Sequence, residues 1–447
     1  MIVKKPALIL LVLAIAGGAA AYYFDWKRGN EPKTDTFKRA YALQAADVVS
    51  LVLSHPARPS DPAIHFAKHG DAWQVVDPIQ TDADQSVVDG IVDQVAGAEV
   101  LGTEPGTPDR LKAYGLDPPQ ASLELQLANG SKHTLLVGAN SFTGDSIYAL
   151  VDGGQSVSLL PQLLATSTAR TLDTLRDRSI LRFDSGQIAS FMLRSPSGEL
   201  AAAKQSEQWK FTKPTNTLAS QDAVDSLLQA VSGAKMASVV SEKPDDLARY
   251  GLANPPVSLA VTDAKGAQST LQLGRKDGDA YFARDVSRPT VFRVGADLYA
   301  KLTQKFSDLR DKKIVHVDSA DVQQIEVRNA GGSISLSKKK DGSEEWVFDA
   351  PADQKGKPAT SWKVLDPLTG ASADEVIDKP AANQLALVAN PAVTAILTDK
   401  GGKTLTIRVS KPAGDFIYAQ ASDGVAVFKL KKEVLDSLNV KAADLAP

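Results

Sequence analysis

Apolar and polar residues alternate over short stretches along most of the chain. The segments Val48 to Leu53, Ile188 to Leu193 and Val322 to Val327 each read as a half-buried strand. A tryptophan-bearing strand follows each of them: Trp73 to Val76, Trp209 to Phe211, and Trp346 to Phe348. The proline five residues after each Trp (Pro78, Pro214, Pro351) ends that strand, because it has no N–H to give to the ladder. The period then lengthens. Val87, Val88, Ile91, Val92 and Val95 fall on one helical face, as do Val224, Leu227, Leu228 and Val231, with Asp84 and Ser220 placed as N-caps. Pro367 interrupts the corresponding stretch 359–370, which predicts a short or distorted helix. Hairpin signals fill the rest: Asn129-Gly130, then a Gly-Asp turn before a tyrosine strand at Gly144-Asp145…Tyr148, Gly278-Asp279…Tyr281 and Gly414-Asp415…Tyr418. Strands gathered in hairpins, with helices that do not alternate with them, predict an α+β fold of mainly antiparallel sheets.

The same marks recur in one register. Trp73, Trp209 and Trp346 are joined by Pro119, Pro255 and Pro391, by Pro108, Pro244 and Pro380, and by Gly138 and Gly274. A compact element, Thr107 to Leu116, matches Lys243 to Leu252. In both, a proline suits the first helical turn, Tyr114 or Tyr250 follows, and Gly115 or Gly251 suits a left-handed C-cap. The third copy reads Ala386-Leu387-Val388 there and has lost the Tyr-Gly step. Three tandem units are therefore expected at 47–184, 185–318 and a divergent 319–447. Leu-Arg-Asp segments mark the unit ends. Arg176, Asp177, Arg310 and Asp311 are candidates for ion pairs bracing neighbouring units, and Ile180 to Phe183 and Ile314 to Val317 read as short apolar strands after them.

Upstream of the units, Lys4 and Lys5 precede an uncharged run from Pro6 to Phe24, and Tyr22, Tyr23, Trp26, Lys27 and Arg28 follow or close it. As a helix such a run spans roughly 28 Å, near the thickness of a bilayer's hydrocarbon, and aromatic rings favour the headgroup zone. The expectation is an uncleaved transmembrane anchor over 1–26 and a polar stalk over 27–46, with a cleaved signal peptide as the competing reading. The bulk of the chain would lie on the extracytoplasmic side of a bacterial inner membrane. The net charge of −3 argues against a nucleic-acid partner, and the absence of cysteine among the 447 residues excludes disulfides and thiolate chemistry.

The Tyr-Gly-Leu step with its downstream proline pair (Pro118 and Pro119; Pro255 and Pro256), the Trp with its following proline, and the Gly…Tyr strand together resemble the bacterial family known as domain of unknown function 4340. The resemblance covers nearly all of 47–447. It implies a membrane-anchored extracytoplasmic protein, in a setting associated with an ABC-type transporter or gliding-motility components, and it carries no catalytic residue over.

Searching the residues for chemistry gives little. His65 and His69 have a helical metal-pair spacing but sit in a stretch that reads as strand and turn, and no Glu completes a zinc motif. His133 and His316 lie in strands and read as packed or surface residues, and nothing marks out His55. Asp277-Gly-Asp279 reads as turn chemistry, and the Gly-Gly pairs lack a phosphate-loop context. No cofactor or metal is expected. Trp73, Trp209, Trp346, Tyr114 and Tyr250 read as core and rim residues before they read as stacking platforms. The expectation is a non-enzymatic interaction scaffold, an arm with a protein partner in the cell envelope. The alternative is a module binding a lipid, glycan or peptide at a unit boundary.

Overall fold

The computed structural model describes residues 38–447, which fall into two compact bodies, 38–178 and 179–447. Among the described residues there are three sheets. The first holds β1 (Val48–Ser54), β2 (Ile64–His69), β3 (Ala72–Asp77), β4 (Thr81–Asp82), β5 (Gly102–Pro105), β6 (Ala121–Leu127), β7 (Lys132–Asn140), β8 (Ser146–Val151) and β9 (Ser156–Pro161). Their order is β4-β3-β2-β1-β6-β7-β8-β9-β5, with every neighbouring pair antiparallel. The second sheet, over 188–295, repeats this order strand for strand. The third, over 322–431, keeps it with eight strands, an isolated bridge between Val347 and Pro358 standing near the place of the β4 counterpart. The fold is α+β with antiparallel sheets, and the sequence is a threefold duplication of one unit.

Alternation explains how each sheet packs. In β6, residues 121, 123, 125 and 127 are buried and those between them are not, so one face meets a core and the other meets solvent. The helix Gln85–Ala96 covers the buried face with Val88, Ile91, Val92 and Val95. The Asp84 carboxylate accepts from the Val87 N–H. In the second copy the helix Gln221–Ser232 begins likewise, with the Ser220 hydroxyl accepting from the Ala223 N–H. The third copy has a shorter helix, Trp362–Gly370, with Pro367 inside it. The peptide bond before Pro78, Pro214 and Pro351 is cis in all three copies.

Two segments differ from their sequence reading. Ile180 to Phe183 and Ile314 to Val317 form no regular strand, and they belong to the unit that follows them. Ile180 and Leu181 are buried in the second core, Ile314 and Val315 in the third. The first unit has the same lead-in at 40–43, where Tyr41 and Leu43 are buried in the first core. The backbone marks agree: Ala40 N–H donates to Ala98 O and Ile180 N–H to Ala234 O, while isolated bridges join Arg39 to Glu99, Ser179 to Lys235, and Lys313 to Ser372. Residues 38–46, read from sequence as the end of a polar stalk, form an extended lead-in and the start of a 3-10 turn at Ala45–Asp47. Most of their apolar residues are alanine, but Tyr41 and Leu43 alternate, and alternation is enough to place both in a core. The anchor expected over 1–26 and the stalk residues 27–37 lie outside the described residues. Among the described residues no helix is long and apolar enough to cross a membrane.

Candidate functional site

The residues that mark the repeat sit mostly inside it. Trp73 and Trp209 are fully buried and Trp346 nearly so. The Trp73 indole N–H donates to Asp89 (2.8 Å) and that of Trp209 to Asp225 (3.3 Å), both on the helix that covers the sheet. A lysine ammonium lies over each ring at 4.9–5.8 Å, from Lys68, Lys204 and Lys338. This contact favours a cation above the π-face, and it recurs in all three copies.

Tyr114 and Tyr250 end short turns, Pro108–Ala113 and Ala248–Tyr250, and Gly115 and Gly251 adopt φ of +66° and +70°. The turn lies directly on the next strand. A Cβ on Gly138 would stand 2.4 Å from Tyr114 O, and one on Gly274 would stand 2.1 Å from Tyr250 O, so both positions require glycine. The third copy carries Ser410 there, fully buried, beside a helix Ala382–Ala389 in place of the Tyr-Gly turn. Loss of the turn and loss of the glycine go together. Tyr114 stacks on Tyr148 at 4.0 Å and Tyr250 meets Phe282 edge-on at 5.1 Å. Pro119, Pro255 and Pro391 stand at or just before the strand that follows the turn, and the Pro119 carbonyl accepts from the Ala57 N–H.

Arg176 and Arg310 are both buried, each just after a short helix. The leucine before each arginine clamps the segment before the covering helix: Asp84 N–H donates to Leu175 O, Ser220 N–H to Leu309 O, and in the third copy Thr360 N–H to Leu445 O. Arg310 reaches the third copy, where its two terminal nitrogens donate to the two oxygens of Asp378 at 2.7 and 2.9 Å. Asp311 stays local, accepting from His316 (2.8 Å) and from the Lys313 N–H. Burial alone would raise its pKa. These hydrogen bonds outweigh that and hold the carboxyl below its ordinary range. Asp177 joins the first unit through its N–H, which donates to Asp82 O.

One concave feature sets the first unit apart. Its β1–β2 connection takes nine residues, 55–63, where the other copies use two, 196–197 and 330–331. The long loop folds against the end of the helix Leu163–Thr168. It leaves a cavity of about 430 Å³ lined by His55, Arg58, Gln120, Gly138, Asn140 and Thr168, and a second of about 260 Å³ that His55 also lines, with Asp61, Ile64, Leu172 and Asp173 among others. His55 is buried and its Nε2 lies 2.8 Å from Thr168 O. A carbonyl only accepts, so Nε2 carries the proton. The other copies make an equivalent tie with different chemistry: the Ser197 hydroxyl donates to Thr303 O (2.6 Å), and the Asn329 amide to Val440 O (2.8 Å). His55 is thus a latch that fixes the loop, and Arg58, which pairs with Asp61 at 3.3 Å, is the cationic group at the cavity.

Sequence reasoning passed over this loop, because its content of Pro, Ser and Asp reads as an ordinary connection. The signal available was its length relative to the equivalent turns. His65 and His69 lie on opposite ends of β2. His133 engages Asp152 at 2.9 Å, and Asp277 engages Arg293 at 2.6 Å.

Comparison with known proteins decides the relationship. The model of a family described as a domain of unknown function, DUF4340, matches residues 73–210 and 209–386. The chain belongs to the DUF4340 family. The two matches begin on Trp73 and Trp209; the first ends on the next tryptophan strand, the second runs on past Trp346 into the third copy, and together they leave out the first strands of copy one and the last of copy three. No curated protein matches the chain.

Proposed function

We propose that this DUF4340 protein is a non-enzymatic scaffold, anchored by its N-terminal segment in a bacterial inner membrane, with its folded units on the extracytoplasmic side engaging another component of the envelope. An accessory role beside an ABC-type transporter is the partner setting that the family resemblance suggests. The observation that carries the reading is where the duplicated residues go. The tryptophans, the Tyr-Gly turns and the Leu-Arg-Asp segments are spent on packing and on joining chain segments. What duplication has preserved is therefore a frame, and such a frame leaves its solvent faces available for contacts that can add through multivalency. Large exposed apolar side chains, among them Trp362 at a helix start and Val425 in a strand connection, are contact points of the kind a protein partner uses.

Photo-crosslinking from positions 362 and 425 in intact membranes, followed by identification of the adduct, tests the reading. Recovery of a defined envelope protein is expected. A co-purifying small molecule with no protein adduct would reject the scaffold in favour of a second reading, a ligand-binding module, which the cavity beside His55 and Arg58 supports. In that case Arg58→Ala should abolish retention of the molecule.

A further inference from the structure

Three large apolar side chains stand exposed at one end of the first unit: Leu101 (49%), Phe142 (102%) and Leu163 (57%). Strand register brings them together. Gly102 pairs with Leu159, and the Leu101 N–H donates to Leu159 O, which sets Leu101 beside the end of β9. Leu163 opens the helix that follows β9, and Phe142 lies in the β7–β8 turn, whose base is held there by Ser146 pairing with Pro161 and by Gln162 N–H donating to Asp145 O. From β7 to β5 is three strand spacings, roughly 14 Å. The equivalent sites in the other copies are not apolar in this way. Leu101 corresponds to Ala237 and Asp374, and Leu163 to Asp297 and Glu433. The Phe142 turn corresponds to Gly278-Asp279 and to the stretch 411–415, neither with an aromatic residue.

The identity of the occupant follows from where the chain enters. The described residues begin at Lys38, whose carbonyl accepts from the Val100 N–H, one residue from Leu101. The uncharged run Pro6 to Phe24 ends only thirteen residues earlier. Such a tether reaches about 45 Å at full extension and about 20 Å as a flexible chain. If that run spans a bilayer, this end of the first unit is confined beside it at high effective concentration, so weak apolar contacts suffice to seat it. The unit nearest the run is also the one that carries Leu, Phe and Leu where its copies carry Ala or acidic residues. Lys38 and Arg39 lie at the same end. Two acidic groups lie nearby: Glu99, whose backbone bridges Arg39, and Asp145, which is hydrogen-bonded to the hydroxyls of Ser141, Thr143 and Ser146 within the turn.

We propose that this end of the first unit rests on a lipid bilayer, with the Phe142 turn entering the boundary between headgroups and acyl chains. The proposal rests on the membrane-anchor reading above, and its test separates the two. The chain has no cysteine, so Phe142→Cys in the full-length protein can carry a single environment-sensitive dye, with Val425→Cys as the reference. Both are reconstituted into liposomes of phosphatidylethanolamine and phosphatidylglycerol. Flotation reads the anchor, and dye emission with iodide and brominated-lipid quenching reads the docking. The expected result is flotation of both proteins. A blue shift, loss of iodide quenching and gain of brominated-lipid quenching should appear at 142 but not at 425. Flotation with a dye at 142 as accessible to iodide as in detergent overturns the docking and leaves the anchor standing. Shielding at 142 in native membranes but not in liposomes assigns the patch to a protein and also overturns it. Failure to float removes both readings.

Discussion

Replacing Gly274 with alanine should destabilise the second unit far more than a methyl group normally would. The added Cβ would lie 2.1 Å from Tyr250 O and 3.1 Å from both the Gly251 carbonyl carbon and the Leu252 side chain, whereas heavy atoms pack at about 3.5–4.0 Å. The nearest obstacle is backbone, so no rotamer change relieves it. The turn must lift by more than about 1 Å, a strain of roughly 1–3 kcal/mol for overpacking. Lifting it also loosens Leu252, which is 1% exposed, and the Tyr250–Phe282 edge contact, worth about 2 kcal/mol for the aliphatic burial and about 1 for the ring pair if wholly lost. Because relaxation trades one cost against the other, a total near 3 kcal/mol is expected. That lowers the melting temperature by roughly 11 °C for a unit of this size. Thermal and urea unfolding of the whole chain reads it. Gly278→Ala is the control: that glycine also has positive φ (+62°) but no neighbour within 4 Å of its Cβ, so it carries only the conformational cost of about 1 kcal/mol. Equal losses from the two substitutions would refute the close-approach argument. Ser410 occupies the same strand position in the third copy, where the turn is absent, and Ser410→Gly there should bring no relief. It removes the bonds to Lys411 O and from the Tyr418 N–H, at about 1 kcal/mol each.

Other consequences can be measured on the same protein. Asp378→Ala leaves the Arg310 guanidinium buried without its carboxylate, and since Asp378 is itself 40% exposed the loss should be about 2 kcal/mol, between the surface and buried limits, read by urea unfolding. Asp84→Ala and Ser220→Ala each remove an N-cap bond and should cost about 1 kcal/mol. His55→Ala unlatches the 55–63 loop, so limited proteolysis should cut there in the variant and not in the parent. Because Asp311 has a depressed pKa in the folded chain, its contribution is complete above the unfolded carboxyl value and fades as pH falls through the folded one. Asp311→Asn should therefore flatten the acid side of the stability curve, and an unchanged acid limb would count against the His316 and Lys313 contacts.

The chain's own pattern determined much of this. Period-two alternation placed the strands, the register of Trp and Pro marks revealed the duplication, and Asp84, Ser220, Gly115 and Gly251 announced their caps and turns, because each of these depends on local geometry. The Pro367 interruption likewise foretold the shorter third helix. Only tertiary structure decided the rest. Which unit owns 40–43, 180–183 and 314–317 depends on the core they enter, and a lead-in with two buried residues has no periodicity long enough to declare itself. That Gly138 and Gly274 are obligatory depends on a turn arriving from twenty or more residues away. The Arg310–Asp378 pair, the His55 latch with its cavity, and the gathering of Leu101, Phe142 and Leu163 join residues tens of positions apart through sheet register. Side chains meet in space along the hydrogen-bonded direction of a sheet, and that direction is invisible along the chain.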